Sequence, residues 1–250
     1  MRIISWNLNG LLSVVTHDAF SPIRDLEPDV LCLQEIRTTQ EPNILPNYHH
    51  FWNHSQRDGY SGTAILTRQK PLQVISGFDG DDEDNEGRLL TVELEDAFIS
   101  CAYAPNSQKN LQRRAYRLKW DEQFRQLAVR LKEEKPTILC GDLNVTRSEI
   151  DIYEENMRQY WAQLGYASDE RSNLETLLEE GFVDAFRLLY PEERSYTWWS
   201  NRLNKRRDNR GWRLDYFLVD ETISDAIVDV RHLAEIPGSD HCPVLLEIEL

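Results

Sequence analysis

Short apolar runs recur along the whole chain, separated by polar and amphipathic stretches. Runs with strand-like character fall at about 2–7, 30–35, 63–67, 89–94, 97–103, 137–141, 214–219, 226–233 and 244–249. Segments this short, bounded by turn residues, predict β-strands. Between two of them Trp120, Phe124, Leu127 and Leu131 recur at helical spacing, which predicts a helix over about 111–133, stopped by Pro136. A second helix is predicted over about 172–180, closing at Gly181. Strands and helices alternate without a break in composition, and no linker is rich in Gly, Pro or Ser. One domain over residues 1–250 is expected, an α/β fold with sheet packed between helices.

Composition sharpens this picture. A chain of 250 residues can bury a large core. Strand-like alternation begins at Arg2-Ile3-Ile4-Ser5-Trp6, with no charged leader before it, and no window is apolar over a membrane-spanning length. A cytoplasmic protein without membrane contact is therefore expected. Cys32, Cys101, Cys140 and Cys242 lie far apart with no C-x-x-C pair, which argues against metal or disulfide work and predicts reduced, buried thiols.

The net charge of −15 argues against indiscriminate coating of a polyanion. Its distribution qualifies that. Residues 109–119 hold Lys109, Arg113, Arg114, Arg117 and Lys119 with no acid, and residues 202–213 hold six basic groups against Asp208 alone. Two basic strips on an acidic body fit phosphate binding at a defined place. The acidic run from Asp79 to Glu86 is read as a solvated loop, because it lacks the calcium-loop pattern.

Candidate chemistry gathers at strand ends. The run Thr137-Ile138-Leu139-Cys140-Gly141 leads into Asp142-Leu143-Asn144. Alternation along an extended backbone would send Asp142 and Asn144 to one face, a carboxylate and an amide suited to handling a water molecule. The first strand ends in Asn7-Leu8-Asn9-Gly10, and the run Val30-Leu31-Cys32-Leu33 ends in Gln34-Glu35. Gly238-Ser239-Asp240-His241 precedes the last strand, and Asp215 sits inside an apolar run, where an unpaired carboxylate would be costly. Asn7, Glu35, Asp142, Asn144 and Asp240 thus form an oxygen-rich set beside one histidine. Hard oxygen donors without a Cys–His cluster point to magnesium or manganese over zinc.

These segments also carry a resemblance. Ser5–Leu11, Leu33–Glu35, Gly59–Gly62, Glu86–Arg88, Tyr103–Asn106, Gly141–Val145, Glu149–Asp151, Gly211–Tyr216 and Gly238–His241 match, in order, motifs of one family. Nearly end to end, the chain resembles the exonuclease III/apurinic-apyrimidinic endonuclease family of the endonuclease–exonuclease–phosphatase superfamily. The resemblance implies a four-layer α/β sandwich of the DNase I type, two mixed β-sheets face to face with flanking helices. It implies a magnesium-dependent nuclease, with manganese as a substitute, cutting double-stranded DNA on the 5′ side of abasic sites or working at 3′ ends. A monomer is expected. A phosphodiesterase with another substrate, such as a phosphoinositide or sphingolipid, is the first rival reading, and a catalytically silent DNA-binding module the second.

Carried over by position, Glu35 would be the principal metal ligand, helped by Asn7 and Asp240. Asp142 would activate or orient the attacking water, with Asn144 directing it. Whether Asp142 or His241 is the base stays open at this point. Asp215 would hold His241, and Tyr103 and Asn106 would contact the scissile phosphate. Trp198, Trp212 and Leu214 would form the pocket for a base-less sugar. Lys109, Arg113, Arg206 and Arg210 would clamp the DNA backbone. Two departures stand out: residues 153–171 lack the family's usual phosphate-contacting stretch, and position 9 is Asn where some members have Asp.

Overall fold

A computed structural model of the chain describes residues 1–78, 85–108, 111–153, 168–201 and 205–250. In chain order the strands are β1 (Arg2–Asn7), β2 (Val30–Gln34), β3 (His49–Asn53), β4 (Thr63–Thr67), β5 (Gln73–Ser76) and β6 (Leu89–Glu93). They continue with β7 (Phe98–Tyr103), β8 (Thr137–Asp142), β9 (Phe182–Asp184), β10 (Asp215–Asp220), β11 (Ile227–His232) and β12 (Val244–Ile248). The α-helices are α1 (Leu11–Thr16), α2 (Ser21–Asp25), α3 (Arg114–Glu134), α4 (Ser168–Glu179) and α5 (Ala185–Leu189).

Two six-stranded mixed sheets result, ordered β11-β12-β1-β2-β4-β3 and β5-β6-β7-β8-β10-β9. Each holds one parallel pair at its centre, β1 with β2 and β7 with β8. The strands β2, β4, β7, β8 and β10 are buried along their whole length, because both faces of each sheet are covered. Ile3, Val30, Cys32 and Ile65 from one sheet meet Ile99, Cys101, Ile138, Cys140, Phe217 and Val219 from the other in a core between the sheets. The opposite face of the first sheet packs on Leu11, Val14 and Ile23 of α1 and α2. The outer face of the second packs on Trp120, Phe124, Leu127 and Leu131 of α3 and on Leu174 and Leu177 of α4. The layers run helix, sheet, sheet, helix, as the resemblance implied.

The nine expected strands are all present within a residue or two. Three were not foreseen. β3 and β5 are partly exposed edge strands of mixed polar and apolar residues, and β9 has only three residues, too short for any period to show. α1, α2 and α5 span five or six residues, below the length at which helical spacing can be read. The main helix begins at Arg114 rather than near 111, because Leu111 takes a left-handed φ of 56° that no α-helix accommodates. α4 starts earlier than expected, at Ser168, where Asp169 and Glu170 in its first turn oppose the helix dipole favourably. The cysteines are free and buried, as expected. Most of the acidic run (79–84), Lys109 and most of the divergent stretch (154–167) lie outside the described residues.

Candidate active site

Strand phase builds the site. Residues of β8 alternate between the inter-sheet core (Ile138, Cys140) and the outer face (Leu139), so Asp142 falls in phase with the inward row. The same count places Asn7 in line with Ile3, Tyr103 in line with Ile99 and Cys101, and Asp215 in line with Phe217 and Val219. The apolar seam between the sheets therefore ends, at one edge, in polar side chains.

Sheet topology brings these ends together. Parallel pairing puts Asn7 beside Gln34 and Tyr103 beside Asp142, so four carboxyl-terminal strand ends share one edge. Antiparallel β10 begins at that edge, with Asp215 opposite Asp142. β12 is antiparallel to β1, with Val244 opposite Ser5, so the Asp240–His241 segment just ahead of it arrives over the same edge. Gly141 is required where β8 lies against Ala102 of β7. Its φ is 133°, and a Cβ there would lie 1.9 Å from the Ala102 carbonyl oxygen.

Asp142 and Asn144 do come together, but not by extended alternation. Asn144 has a left-handed φ of 50°, and its backbone N–H donates to Asp142 Oδ1 at 2.9 Å. The carboxylate closes its own turn. Asn7 and Asn9 repeat the device on the facing sheet, with the Asn9 N–H donating to Asn7 Oδ1 at 3.0 Å and φ 48° at Asn9. The Asn7 amide donates to Asp142 Oδ2 at 2.8 Å and links the two sheets. Asn144 Nδ2 donates to the Ala104 carbonyl at 2.9 Å, and Asn106 Nδ2 donates to Asn144 Oδ1 at 3.1 Å.

His241 Nδ1 lies 2.8 Å from Asp215 Oδ2, and its Nε2 lies 3.8 Å from Asp142 Oδ2. Thr197, which the sequence reading did not single out, fixes this pair. Its hydroxyl donates to Asp215 Oδ2 at 2.6 Å and accepts the N–H groups of Leu214 and Asp215 at 3.0 and 3.1 Å. A lone threonine in a loop carries no sequence signal of that role. Asp240 accepts from Asn9 Nδ2 at 2.9 Å and from Trp198 Nε1 at 3.1 Å. The hydroxyl of Tyr103 donates to Glu35, whose other oxygen accepts Arg37 at 2.9 Å. The buried guanidinium of Arg88 lies 4.5 Å from the Tyr103 ring centre.

The electrostatics follow from burial and crowding. Burial, with further pressure from Asp215 and Glu35, raises the Asp142 carboxyl above the usual range, and His241 opposes it. Burial alone would lower the His241 imidazole, but Asp215, Asp142 and Asp240 outweigh it, and its pKa rises. Burial and then the Glu35 carboxylate hold the Tyr103 hydroxyl protonated.

Among the described residues no three His, Cys, Asp or Glu side chains are placed to enclose a metal ion. A magnesium ion that keeps most of its waters needs only one or two carboxylates. Glu35 and Asp240 carry carboxylates of that chemistry, and Asn9 joins Asp240 to the amide oxygen of Asn7.

The apolar wall stands beside His241. Ile152, Trp212 and Leu214 form one cluster against which Trp198 packs, with the two indoles edge to face at 6.2 Å. Trp198 also lies 6.4 Å from the His241 ring. Ile152 is fully buried there, and nothing in the sequence pattern marked it.

The basic strips divide between cations turned inward and cations at the surface, where Arg114, Lys119 and Arg207 are exposed. Arg206 is half-buried. It donates to the carbonyls of Ser239, Ala234 and Ile236 at 2.7, 3.0 and 2.7 Å, and lies 4.8 Å from the Trp199 ring. Arg113 donates to Tyr60 Oη at 2.6 Å and Glu86 at 2.7 Å, and Arg114 pairs with Asp169. Arg117 and Arg213 are buried. Arg210 packs over Tyr153 at 5.5 Å. A linear count cannot tell a cation facing solvent from one capping carbonyls inside.

The chain matches the Endonuclease/Exonuclease/phosphatase family over residues 4–241. It is 42% identical to an exodeoxyribonuclease of Bacillus subtilis, with all of both chains covered. It is 39% identical to the DNA repair nuclease APEX1 of Danio rerio, covering 98% of this chain and 81% of that one. An AP endonuclease from Leishmania major superposes with a TM-score of 0.88 at 29% identity, covering 100% of this chain and 87% of the other.

Proposed function

Because the chain belongs to the endonuclease/exonuclease/phosphatase family, we propose that it is a magnesium-dependent DNA repair nuclease. Its reaction is hydrolysis of the phosphodiester on the 5′ side of an abasic site, leaving a 3′ hydroxyl, with 3′→5′ exonuclease or 3′-end-cleaning activity in the same site. It acts as a cytoplasmic monomer of one domain on double-stranded DNA. Among the described residues no helix is long and apolar enough to cross a membrane.

The observation carrying this reading is the convergence of Asp142, Asn144, His241 and Tyr103 beside an apolar wall. Asp142 is the base that takes a proton from the attacking water, since its raised pKa suits that task and the Asn144 N–H fixes its orientation. His241, charged and tethered to Asp215, presents Nε2–H to the phosphoryl oxygens. Tyr103 and the amides of Asn106 and Asn144 supply further donors to those oxygens. Glu35, Asn7 and Asp240 would hold the ion. When bound, magnesium, or manganese in its place, offsets charge on the phosphate and stabilises the leaving oxygen.

Specificity comes from Trp198, Trp212, Leu214 and Ile152. A nucleotide lacking its base leaves the stack at less cost than an intact one, and a tight apolar pocket rejects a normal base by size. The test is a gel assay on abasic, mismatched-end and intact duplexes, with phosphoinositide and sphingolipid substrates alongside at fixed magnesium. Chelator-sensitive nicking of the abasic duplex is expected, with Asp142→Asn slower by ~10²–10⁴-fold. Equal rates for Asp142→Asn and the parent would refute the assignment of Asp142. Turnover of the lipids instead of DNA would refute the substrate.

A further inference from the structure

The loops that carry Asn106 and Asn144 leave β7 and β8 side by side. Beyond the pairing of Tyr103 with Asp142 and one bond from the Ala104 N–H to the Asp142 carbonyl at 2.9 Å, no strand register among the described residues joins them. What they have in common is Arg117 of α3. Its guanidinium is buried, and its Nε donates to Asp121 at 2.7 Å. Nη1 donates to the Pro105 carbonyl at 2.9 Å and reaches that of Asn144 at 3.5 Å, while Nη2 donates to the Leu143 carbonyl at 2.8 Å. One planar cation thus spans both loops. Three carbonyl dipoles aim at one point, an arrangement that only a buried positive charge with several fixed donors stabilises.

Side-chain bonds across the same gap depend on that spacing. Asn106 donates to Asn144, and Asn144 donates to Ala104. Asn144 also sits in its left-handed turn against Asp142. A shift of either loop would misplace both amides and the carboxylate at once. A lysine has one compact head group and cannot reproduce the fork.

We propose that Arg117 is a positioning residue for phosphodiester hydrolysis, setting the Asn106–Asn144 pair relative to Asp142 without touching DNA. This rests on the functional reading above. In a basic strip counted as DNA-facing, it is the member turned inward to serve the chemistry.

The experiment compares the parent with Arg117→Met and Arg117→Lys. It reads single-turnover cleavage of an abasic duplex, binding of that duplex under chelator, and thermal stability. A loss of ~10² in the cleavage rate constant is expected for Arg117→Met, with binding within about twofold. Arg117→Lys should recover stability but not rate. Arg117→Met combined with Asn106→Ala should be no slower than the slower single variant. Lowered stability with an unchanged rate constant would reduce Arg117 to scaffolding. Weakened binding with an unchanged rate constant would make it a phosphate contact. If Arg117→Met does not fold, Asp121→Asn loosens the same guanidinium and takes the same readouts.

One measurement is independent of DNA. The side-chain amide NMR signals of Asn106 and Asn144 in the free protein should move in Arg117→Lys, and unmoved signals overturn the proposal. A parent that leaves abasic DNA uncut while those signals move would overturn the functional reading alone.

Discussion

At the scale of single residues, the site is made by turns in which a side chain caps its own backbone two positions on. Asn7 with Asn9 and Asp142 with Asn144 do so on facing sheets, and Asn106 accepts the Gln108 N–H at 2.8 Å in the same way. The residue types were legible, because Asn and Asp favour such turns. The geometry was not: period-two alternation gave the right neighbours for the wrong reason. Arg206, expected from the resemblance to clamp DNA, also serves the fold. Its three carbonyl contacts hold the segment leading into Asp240 and His241. Arg206→Ala should therefore lower stability by about 1–3 kcal/mol and leave the salt dependence of DNA binding nearly unchanged. Urea unfolding and binding titrations at several salt concentrations measure the two effects. A flatter salt dependence without loss of stability would return Arg206 to the DNA interface.

At the scale of elements, a buried ion network joins pieces far apart in sequence. Arg213 donates to Asp151 at 2.7 Å and to Asp184 at 3.0 and 2.7 Å, and Arg187 pairs with the same Asp151 at 2.5 Å. This ties the 3₁₀ turn Glu149–Asp151, the end of β9, helix α5 and the chain leading into β10, and so fixes Ile152 and Trp212 on either side of it. Burial would raise the Asp151 carboxyl, but the two guanidinium groups outweigh it and hold it below the usual range. Removing the shared cation leaves buried carboxylates short of a partner. Arg213→Met should cost about 3–5 kcal/mol in urea unfolding, far more than a surface arginine. A loss under about 1 kcal/mol would mean the acids are satisfied without it. None of this could be read from the chain, where Arg213 looked like one more member of a basic strip.

At the scale of the whole molecule, stability should depend on pH through a histidine remote from the proposed chemistry. His232 stacks on Phe186 at 4.1 Å and its Nδ1 meets the Ser195 hydroxyl at 2.7 Å. Burial, followed by the nearby Arg213 and Arg187, lowers its pKa from 6.5 to about 3. Between those values the unfolded chain binds a proton that the folded chain refuses. The contribution is full above pH 6.5 and shrinks as pH falls toward 3. His232→Phe keeps a ring on Phe186 and removes the proton site. From pH 7 to pH 5 it should lose less stability than the parent in urea titrations, and parallel losses would contradict this.

The sequence by itself determined the class of fold, the strands of both sheet interiors and the residue types of the site. Burial on two faces demands unbroken apolar runs, and turn chemistry demands Asn, Asp and Gly, so both leave local marks. Tertiary structure alone decided which polar residues meet. Two parallel pairs, with β10 and β12 running against them, carry Asn7, Glu35, Tyr103, Asp142, Asp215 and His241 to one edge. It also decided which cations face inward, as Arg117 and Arg213 do. An arginine carries the same charge wherever it points, and only the packed chain supplies the carbonyls and carboxylates that choose its direction.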